Sequence, residues 1–465
     1  MGAASIIGRL NSGLFVQAQA VPVTAVRLIV GVLAVMCGLA ASLLRTGGSG
    51  ALRTVTFEDG TNFLTDAWNH PGIWPIFRPL NGYYVVGPRL AAWFAVLFPV
   101  RLAAAVLTIE AALGAALLAL AVYVASGAHF RSPLLRLLVS APIVVMAGAQ
   151  GPSTSVNNNI ATIQFLALYA LFWMVIWVPA SRTGRGVAVL VTIATAVSTL
   201  LSVLLLPLAL VRLAARRERH SLVLAGALAL AALANVIAIA RHVTARPPQS
   251  APHYNVIWAL VQYAEALPRM IFGNAWNYPD LNHLGTLRVR AMMGAAPHTP
   301  LWLDAAALVV IGVVALIAIS GLTRPAWLLG GVAAAFSVFL FAACLMSFGS
   351  PEPRYLVAPA LLLITAMAAL LRPRQAQAQP GQEASPSSLR TWAQAPVLAL
   401  AVLVAVVCAV NFRDLDLRAL SPTWASNVAA VERYCTSHPS AAHYTVFITS
   451  PHWYATVPCG LVSSR

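Results

Sequence analysis

Residues 186–219 read GVAVLVTIATAVSTLLSVLLLPLALVRLAARRER, and the number of helices they make decides the topology of the chain. The run 186–213 is apolar enough for one long helix. Pro207, however, lacks the amide hydrogen that an interior helical position needs, and Arg212, Arg216, Arg217 and Arg219 gather at its end. These features favour two short helices meeting near Leu200. Outward from this stretch, apolar runs near the ~20 residues needed to cross a ~30 Å hydrocarbon layer occur at 22–44, 101–125, 133–149, 160–179 and 221–241, then at 302–321, 327–347, 355–371 and 394–411. With the split, the count is 11 segments. The 465 residues are 60% hydrophobic and only 9% charged, against about 25% charged in soluble domains. That excludes an ordinary soluble enzyme and a disordered tail. The expected fold class is an all-α polytopic membrane protein with about 11 transmembrane helices, two of them short.

Charge sets the expected orientation. With the N-terminus inside, the short inner loops carry Arg131, Arg136, Arg182, Arg185, the four-arginine cluster, Arg324, Arg372, Arg374 and Arg390, against Glu218 and Glu383 alone. This satisfies the positive-inside rule; a single helix over 186–213 would reverse it. The first segment reads as a retained anchor, because no small-residue cleavage site precedes Arg45. The expected location is therefore the cell membrane, multi-pass, with a cytoplasmic N-terminus and an extracytoplasmic C-terminus. On this reading a membrane region spans 1–411 with outer loops at 45–100 and 242–301, and a small outer tail spans 412–465. Ten of the thirteen acids lie on the outer side, eight in these pieces with Asp304 at a span edge and Glu352 in a short loop, so polar chemistry is expected there.

The net charge of +16 comes entirely from arginine, since the chain has no lysine. A Walker-type phosphate loop and Schiff-base chemistry are thereby excluded. Sorted by membrane side, the arginines explain the basicity without nucleic acid as a partner. Cys37, Cys344 and Cys408 fall within apolar spans. Cys435 and Cys459 share the outer tail, separated by the strand-like Tyr444, Val446, Phe447 and Ile448, and an oxidising compartment would pair them as a disulfide. No Ser stands in a GxSxG context, and the ten His show no tight zinc-ligand spacing. Asp414-Leu415-Asp416 has the spacing of a metal and nucleotide-sugar motif, but its external position sets it apart from cytoplasmic nucleotide sugars.

Three groups of residues carry candidate chemistry. Glu58, Asp59 and Gly60 follow the first span by about 14 residues, within reach of a lipid head group, where one carboxylate could serve as general base. The plain alternative is a solvated loop turn or helix cap with a salt bridge to Arg53. The same loop carries Arg78-Pro79-Leu80-Asn81-Gly82-Tyr83-Tyr84 and Arg89, with aromatics suited to sugar faces. Arg354 and Tyr355, which open a late span, and Arg269, Arg288 and Arg290 in the long loop supply fixed positive charge for a phosphate. The loop 151–159 ends in Asn157-Asn158-Asn159, which reads equally as substrate binding or helix capping. Glu110, alone in the second span, is expected to hydrogen-bond to a neighbouring helix.

This layout resembles the GT-C superfamily, the polytopic glycosyltransferases that use a polyprenyl-phosphate sugar. The matching pieces are Glu58-Asp59-Gly60, the 78–84 stretch, the Asn157-Asn158-Asn159 loop and the Arg354-Tyr355 pair, spread over roughly 20–411. The resemblance implies Asp59 or Glu58 as the base that activates the acceptor, and Arg354 as the phosphate clamp. It implies an inverting glycosyltransferase (hexosyl or pentosyl) of the cell envelope, acting on the extracytoplasmic face. Its partners would be a polyprenyl-phosphate sugar, a glycan, lipid or protein acceptor, and membrane lipids. No nucleotide pocket is needed, no cofactor is assigned, and a divalent cation is left open. The tail, about 54 residues long, departs from the large soluble domain of many members. The competing reading is a transporter or flippase of a lipid-linked glycan, which would place ionisable residues at the midplane and show two related halves; only Glu110 lies deep, and no halves repeat.

Overall fold

The computed structural model describes residues 3–19, 22–145, 156–241, 254–273, 300–349, 352–374, 388–413, 418, 421–449 and 453–462. The chain is mostly helical. After α1 (Ala3–Gly13) and α2 (Ala25–Leu44), the first loop holds two short helices, α3 (Thr65–Asn69) and α4 (Val86–Ala95). There follow α5 (Ala103–Ser126), α6 (Pro133–Ser140), α7 (Pro142–Val145), α8 (Ile163–Ile176), α9 (Arg182–Ala196), α10 (Leu206–Ala215) and α11 (Arg219–Ala240). The last third contributes α12 (Val256–Phe272), α13 (Leu301–Ile319), α14 (Trp327–Phe348), α15 (Val357–Leu370), α16 (Ser388–Val410) and α17 (Trp424–Ser437). A two-stranded antiparallel hairpin, β1 (His443–Thr449) and β2 (Trp453–Pro458), closes the chain.

Six helical segments among the described residues are long and apolar enough to cross a membrane: Ala25–Leu44, Val100–Ser126, Arg219–Ala240, Leu301–Ile319, Trp327–Ser347 and Pro353–Leu370. Shorter apolar helices occupy Pro133–Val145, Ile163–Ile176, Leu200–Ala215 and Gln394–Val410. The 186–219 stretch does break. α9 ends at Ala196, Thr199 caps a 3-10 turn starting at Leu200 by accepting from the Leu201 amide at 3.3 Å, and Pro207 sits in the first turn of α10, where its missing amide costs nothing.

α8 and α15 are the central helices. Leu168 through Ile176 are buried on all sides, as is α15 from Val357 to Ala369, the pattern of a helix enclosed by other helices. Tyr169 ties them together, its hydroxyl 2.8 Å from Thr365 and donating to the Val139 carbonyl at 2.7 Å. Arg212, expected in an inner loop, is instead fully buried and donates to the carbonyls of Met174, Val175 and Trp177. A cation there satisfies the orphan acceptors at the end of α8 and complements its dipole.

A second apolar core lies at the end of the bundle that holds the first loop. It joins Val55, Phe63 and Leu64 of that loop, Ala103 and Leu107 of α5, and Trp424, Val431, Ile448 and Val457 of the tail. Trp68 stacks on Trp424 at 5.9 Å, and the Trp424 indole donates to the Val100 carbonyl. Cys435 and Cys459 form the expected disulfide. Gly60 lets this core close: a Cβ there would stand 2.5 Å from Ile448 Cδ1 and 2.9 Å from Val55 Cγ1.

Candidate functional site

The two adjacent acids are separated by backbone geometry. Phe57 takes a left-handed φ of 46°, rare for a bulky residue and a form of strain found at functional sites, and a wide π-type turn runs from Asp59 to Leu64. The kink turns Asp59 inward and leaves Glu58 half-buried. Asp59 is 3% exposed, and its two carboxylate oxygens accept from the Ile160 and Ala161 amides at 3.1 Å each, just before α8. Burial pushes its pKa up to about 7, against the opposing pull of the Ala161 amide, the Arg418 guanidinium and the Ile160 amide. Glu58 meets Arg354, whose Nη1 lies 3.3 Å from its Oε1, rather than Arg53. Arg354 stands on the 3-10 turn Pro353–Leu356 that opens α15. The pair spans 296 positions of sequence, and both side chains keep a fifth to a quarter of their surface exposed.

Arg418 of the tail, which sequence reading passed over, holds these pieces together. It is 2% exposed and donates to the carbonyls of Ala51, Thr54 and Asn158 and to the hydroxyls of Thr54 and Thr108. Those acceptors belong to the first loop, α5 and the asparagine loop. No motif marks such a residue, because a buried arginine in a polar tail looks like any surface arginine.

The other candidates divide. Leu80 and Tyr83 exchange two backbone hydrogen bonds across Asn81 and Gly82, both at positive φ, which is the Asn-Gly hairpin turn. This turn brings Tyr83 within electrostatic range of Arg354, with Glu352 also nearby. The Tyr84 amide donates instead to Asn235 Oδ1 of α11 at 2.9 Å. Arg78 and Arg89 both go to Asp66, at 3.3 and 2.8 Å, and Arg89 is buried; their charge is already used within the fold.

Asn157 and Asn158 hydrogen-bond to Ser42 at the end of α2, and Asn159 Oδ1 accepts from the Thr162 amide. Of the two readings of this loop, the side-chain bonds match capping and inter-helix ties. Residues 151–155 and the arginines at 288 and 290 lie outside the described residues, as do Asp414 and Asp416. Arg269, expected in an outer loop, lies on α12 and is buried at 7% exposure. Tyr355 is buried against Phe165. Glu110 is half-buried, and its Oε2 has no hydrogen-bond partner among the described residues.

No protein-family model matches this chain, and no curated protein matches it. Solved structures do. The chain is similar to the Archaeoglobus fulgidus oligosaccharyltransferase in complex with zinc and sulfate, at 15% identity over 83% of this chain and 52% of that one, with a TM-score of 0.36. It is also similar to the same enzyme tethered by a disulfide to an acceptor peptide containing the NVT sequon, at 13% identity over 83% and 55%, with a TM-score of 0.37. The chain thus spans about half the length of these structures.

The described residues near Glu58 do not make a donor set for a divalent cation. Among the described residues no group of three or more His, Cys, Asp or Glu converges. Both Asp59 oxygens are taken by amides, and Glu58 leans on a guanidinium, whereas a hard cation such as Ca²⁺ or Mg²⁺ needs several oxygen ligands around one point.

Proposed function

We propose that this chain is a membrane glycosyltransferase that moves a sugar from a polyprenyl-phosphate donor to a glycan, lipid or protein acceptor, with inversion, on the extracytoplasmic face. The observation that carries the proposal is the Glu58–Arg354 pair: a carboxylate and a guanidinium held 3.3 Å apart, partly open, amid buried neighbours. Glu58 is the base. It takes the proton of the acceptor as the acceptor atom attacks the anomeric carbon; the bond from that carbon to the phosphate oxygen breaks, and its electron pair leaves with the phosphate. Arg354 supplies the positive charge that this leaving group needs, by bidentate hydrogen bonds in the favourable case. Donor binding therefore draws Arg354 away from Glu58 and frees the base. Asp59, with both oxygens satisfied, is a positioning residue that fixes Glu58 against the start of α8. Short loops at the other end, with Arg131, Arg136, Arg182, Arg185, Arg324, Arg372 and Arg374, support an outward orientation of the acid-bearing end under the positive-inside rule.

The test is transfer of radiolabelled sugar from a panel of polyprenyl-phosphate sugars, using membranes matched for expression. Glu58→Gln is expected to lower kcat by about 10²–10⁴-fold, the range of general-base catalysis, with donor KM unchanged or lower because Arg354 loses its competing partner. Arg354→Gln is expected to raise donor KM as well. Wild-type rates in Glu58→Gln would remove it as base. No transfer from any donor, combined with lipid-linked glycan crossing the bilayer of proteoliposomes, would replace the enzyme by a flippase.

A further inference from the structure

A basic cleft lies at the opposite end of the bundle from Glu58. α5 starts in the first-loop core and runs 24 residues, about 36 Å at 1.5 Å per residue, before reaching His129. α15 likewise starts at Arg354 and ends just before Arg372. Two adjoining cavities of about 620 and 480 Å³ share Arg324 and Trp327; Arg374 lines the first, and His129, Arg131 and Arg372 line the second. The backbones of Arg324 and Arg372 are tied by a 2.8 Å hydrogen bond, and Arg372 Nε donates to the Arg324 carbonyl, so the two residues are held side by side and the Arg372 guanidinium is anchored.

Such a cluster opposes its own folding unless something compensates it. Burial first, then the neighbouring guanidiniums of Arg324 and Arg131, lower the pKa of Arg372. Among the described residues no carboxylate forms an ion pair with Arg324, Arg372 or Arg374.

A second observation points to a ligand. His129 lines the cleft at 7% exposure, and its Nε2 is buried with no hydrogen-bond partner among the described residues. Burial and Arg372 hold its pKa down to about 4, so at neutral pH the ring is uncharged and can donate one hydrogen bond. An unmade hydrogen bond at a buried site costs about 1–3 kcal/mol, and an anionic oxygen would make it once the ring turns to present Nε2 to the cleft. Several guanidiniums around one cleft with a neutral N–H donor match the many acceptor oxygens of a phosphate. The cleft is also rimmed by apolar surface: Ile319 lines it and is 68% exposed, and Trp327 is 54% exposed. A free anion has no use for that rim. An acyl chain does, and tryptophan favours the interfacial depth where head groups lie.

We propose that this cleft binds the phosphate head group of an anionic membrane lipid, as a site separate from the one at Glu58. The proposal does not depend on the transferase reading, and its test uses binding alone. The full chain is reconstituted in phosphatidylcholine nanodiscs containing phosphatidic acid, and retained lipid is counted by native mass spectrometry. The cleft variant Arg324→Gln with Arg374→Gln changes two exposed side chains and spares the Arg372 hydrogen bond. The control, Arg182→Gln with Arg219→Gln, removes the same charge from exposed helix starts elsewhere. Binding of phosphatidic acid is expected to weaken at least about tenfold in the cleft variant, the scale of lost charge-assisted hydrogen bonds, to stay at wild-type level in the control, and to survive millimolar inorganic phosphate. Equal loss in both variants, or loss in neither, would overturn the site. Displacement by inorganic phosphate would overturn the lipid assignment in favour of a free anion.

Discussion

Replacing Arg418 by methionine tests whether the tail organises the candidate site. Arg418 donates to five acceptors on three segments. Methionine fills much of the same volume and donates nothing. The Ala51 carbonyl keeps a bond from the Thr108 hydroxyl at 3.0 Å, and the hydroxyls can turn. The Thr54 and Asn158 carbonyls lose their side-chain donor, and Asp59 loses a nearby positive charge. Exchanging a whole buried ionic cluster for apolar groups is often neutral, but here the acceptors stay behind, the case that costs about 3–5 kcal/mol. Over a unit of 150–250 residues each kcal/mol shifts Tm by about 2–4 °C, so a fall of roughly 6 °C or more is expected. The control is Arg101→Met, which removes an ion pair to Glu432 from an arginine whose side chain is 57% exposed and costs under about 1 kcal/mol. Tryptophan-fluorescence melting in detergent reads both, and amide exchange of residues 51–54 and 156–162 reports where the loss falls. A Tm fall no larger than that of Arg101→Met, with unchanged exchange in those segments, would refute the clamp.

Asp59 makes stability depend on pH. Its folded pKa, about 7, lies above the ordinary 3.8, so the native state holds the proton more tightly than the unfolded chain; this contribution is complete below pH ~4 and lost as pH rises to about 7. The shift corresponds to about 4 kcal/mol, and Asp59→Asn is expected to flatten the Tm profile over that window, whereas parallel wild-type and variant profiles would count against it. Gly60→Ala should cost about 1–3 kcal/mol by overpacking, because Ile448 and Val55 are buried and have little room to move; greater protease sensitivity of the tail would accompany the Tm loss, and an unchanged Tm would show that the hairpin yields. Joint Cys435→Ser and Cys459→Ser substitution opens a crosslink across a sequence separation of 24, an expected loss of about 3 kcal/mol, read as the Tm difference between variant and oxidised wild type and matched by wild type under reductant.

Legibility in the sequence followed the range of the interaction. The break before Leu200 was readable because Pro207 and the arginines act locally, and the Cys435–Cys459 bond because two cysteines shared one compartment. Glu58 and Arg354 could each be singled out, but not their pairing, since nothing in a sequence reports a contact across 296 positions. Arg212 shows how a local rule misleads. Its charge counted toward an inner loop, yet its partners are carbonyls that ended α8 more than 30 residues earlier. Arg269 is a related case: the long stretch between spans that carries it contains the 17-residue α12, which buries it. The asparagine run is ambiguous because capping and substrate binding draw on the same side-chain groups, and its bonds to Ser42 on α2 cross more than 100 positions that a sequence does not connect.

The position of Arg418 has a physical reason beyond its contacts. A first loop built from a left-handed Phe57, a π-type turn and short 3-10 turns leaves many carbonyls outside any regular ladder, and buried carbonyls must find donors. Water can serve them at an open surface, but the core formed with the tail excludes it. A guanidinium offers five donors in a rigid fork, and one such group satisfies carbonyls that would otherwise need several separate side chains. The same charge stands near Asp59 and offsets part of what burial costs that carboxylate. The tail thus does two things at once: it closes the irregular loop over an apolar core, and it sets the field around the acid next to Glu58. Glu58 is then held twice, by the Asp59 anchor next to it in the chain and by Arg354 at its side chain, and the second of these contacts is the partly exposed one, as the proposed exchange for a donor phosphate requires.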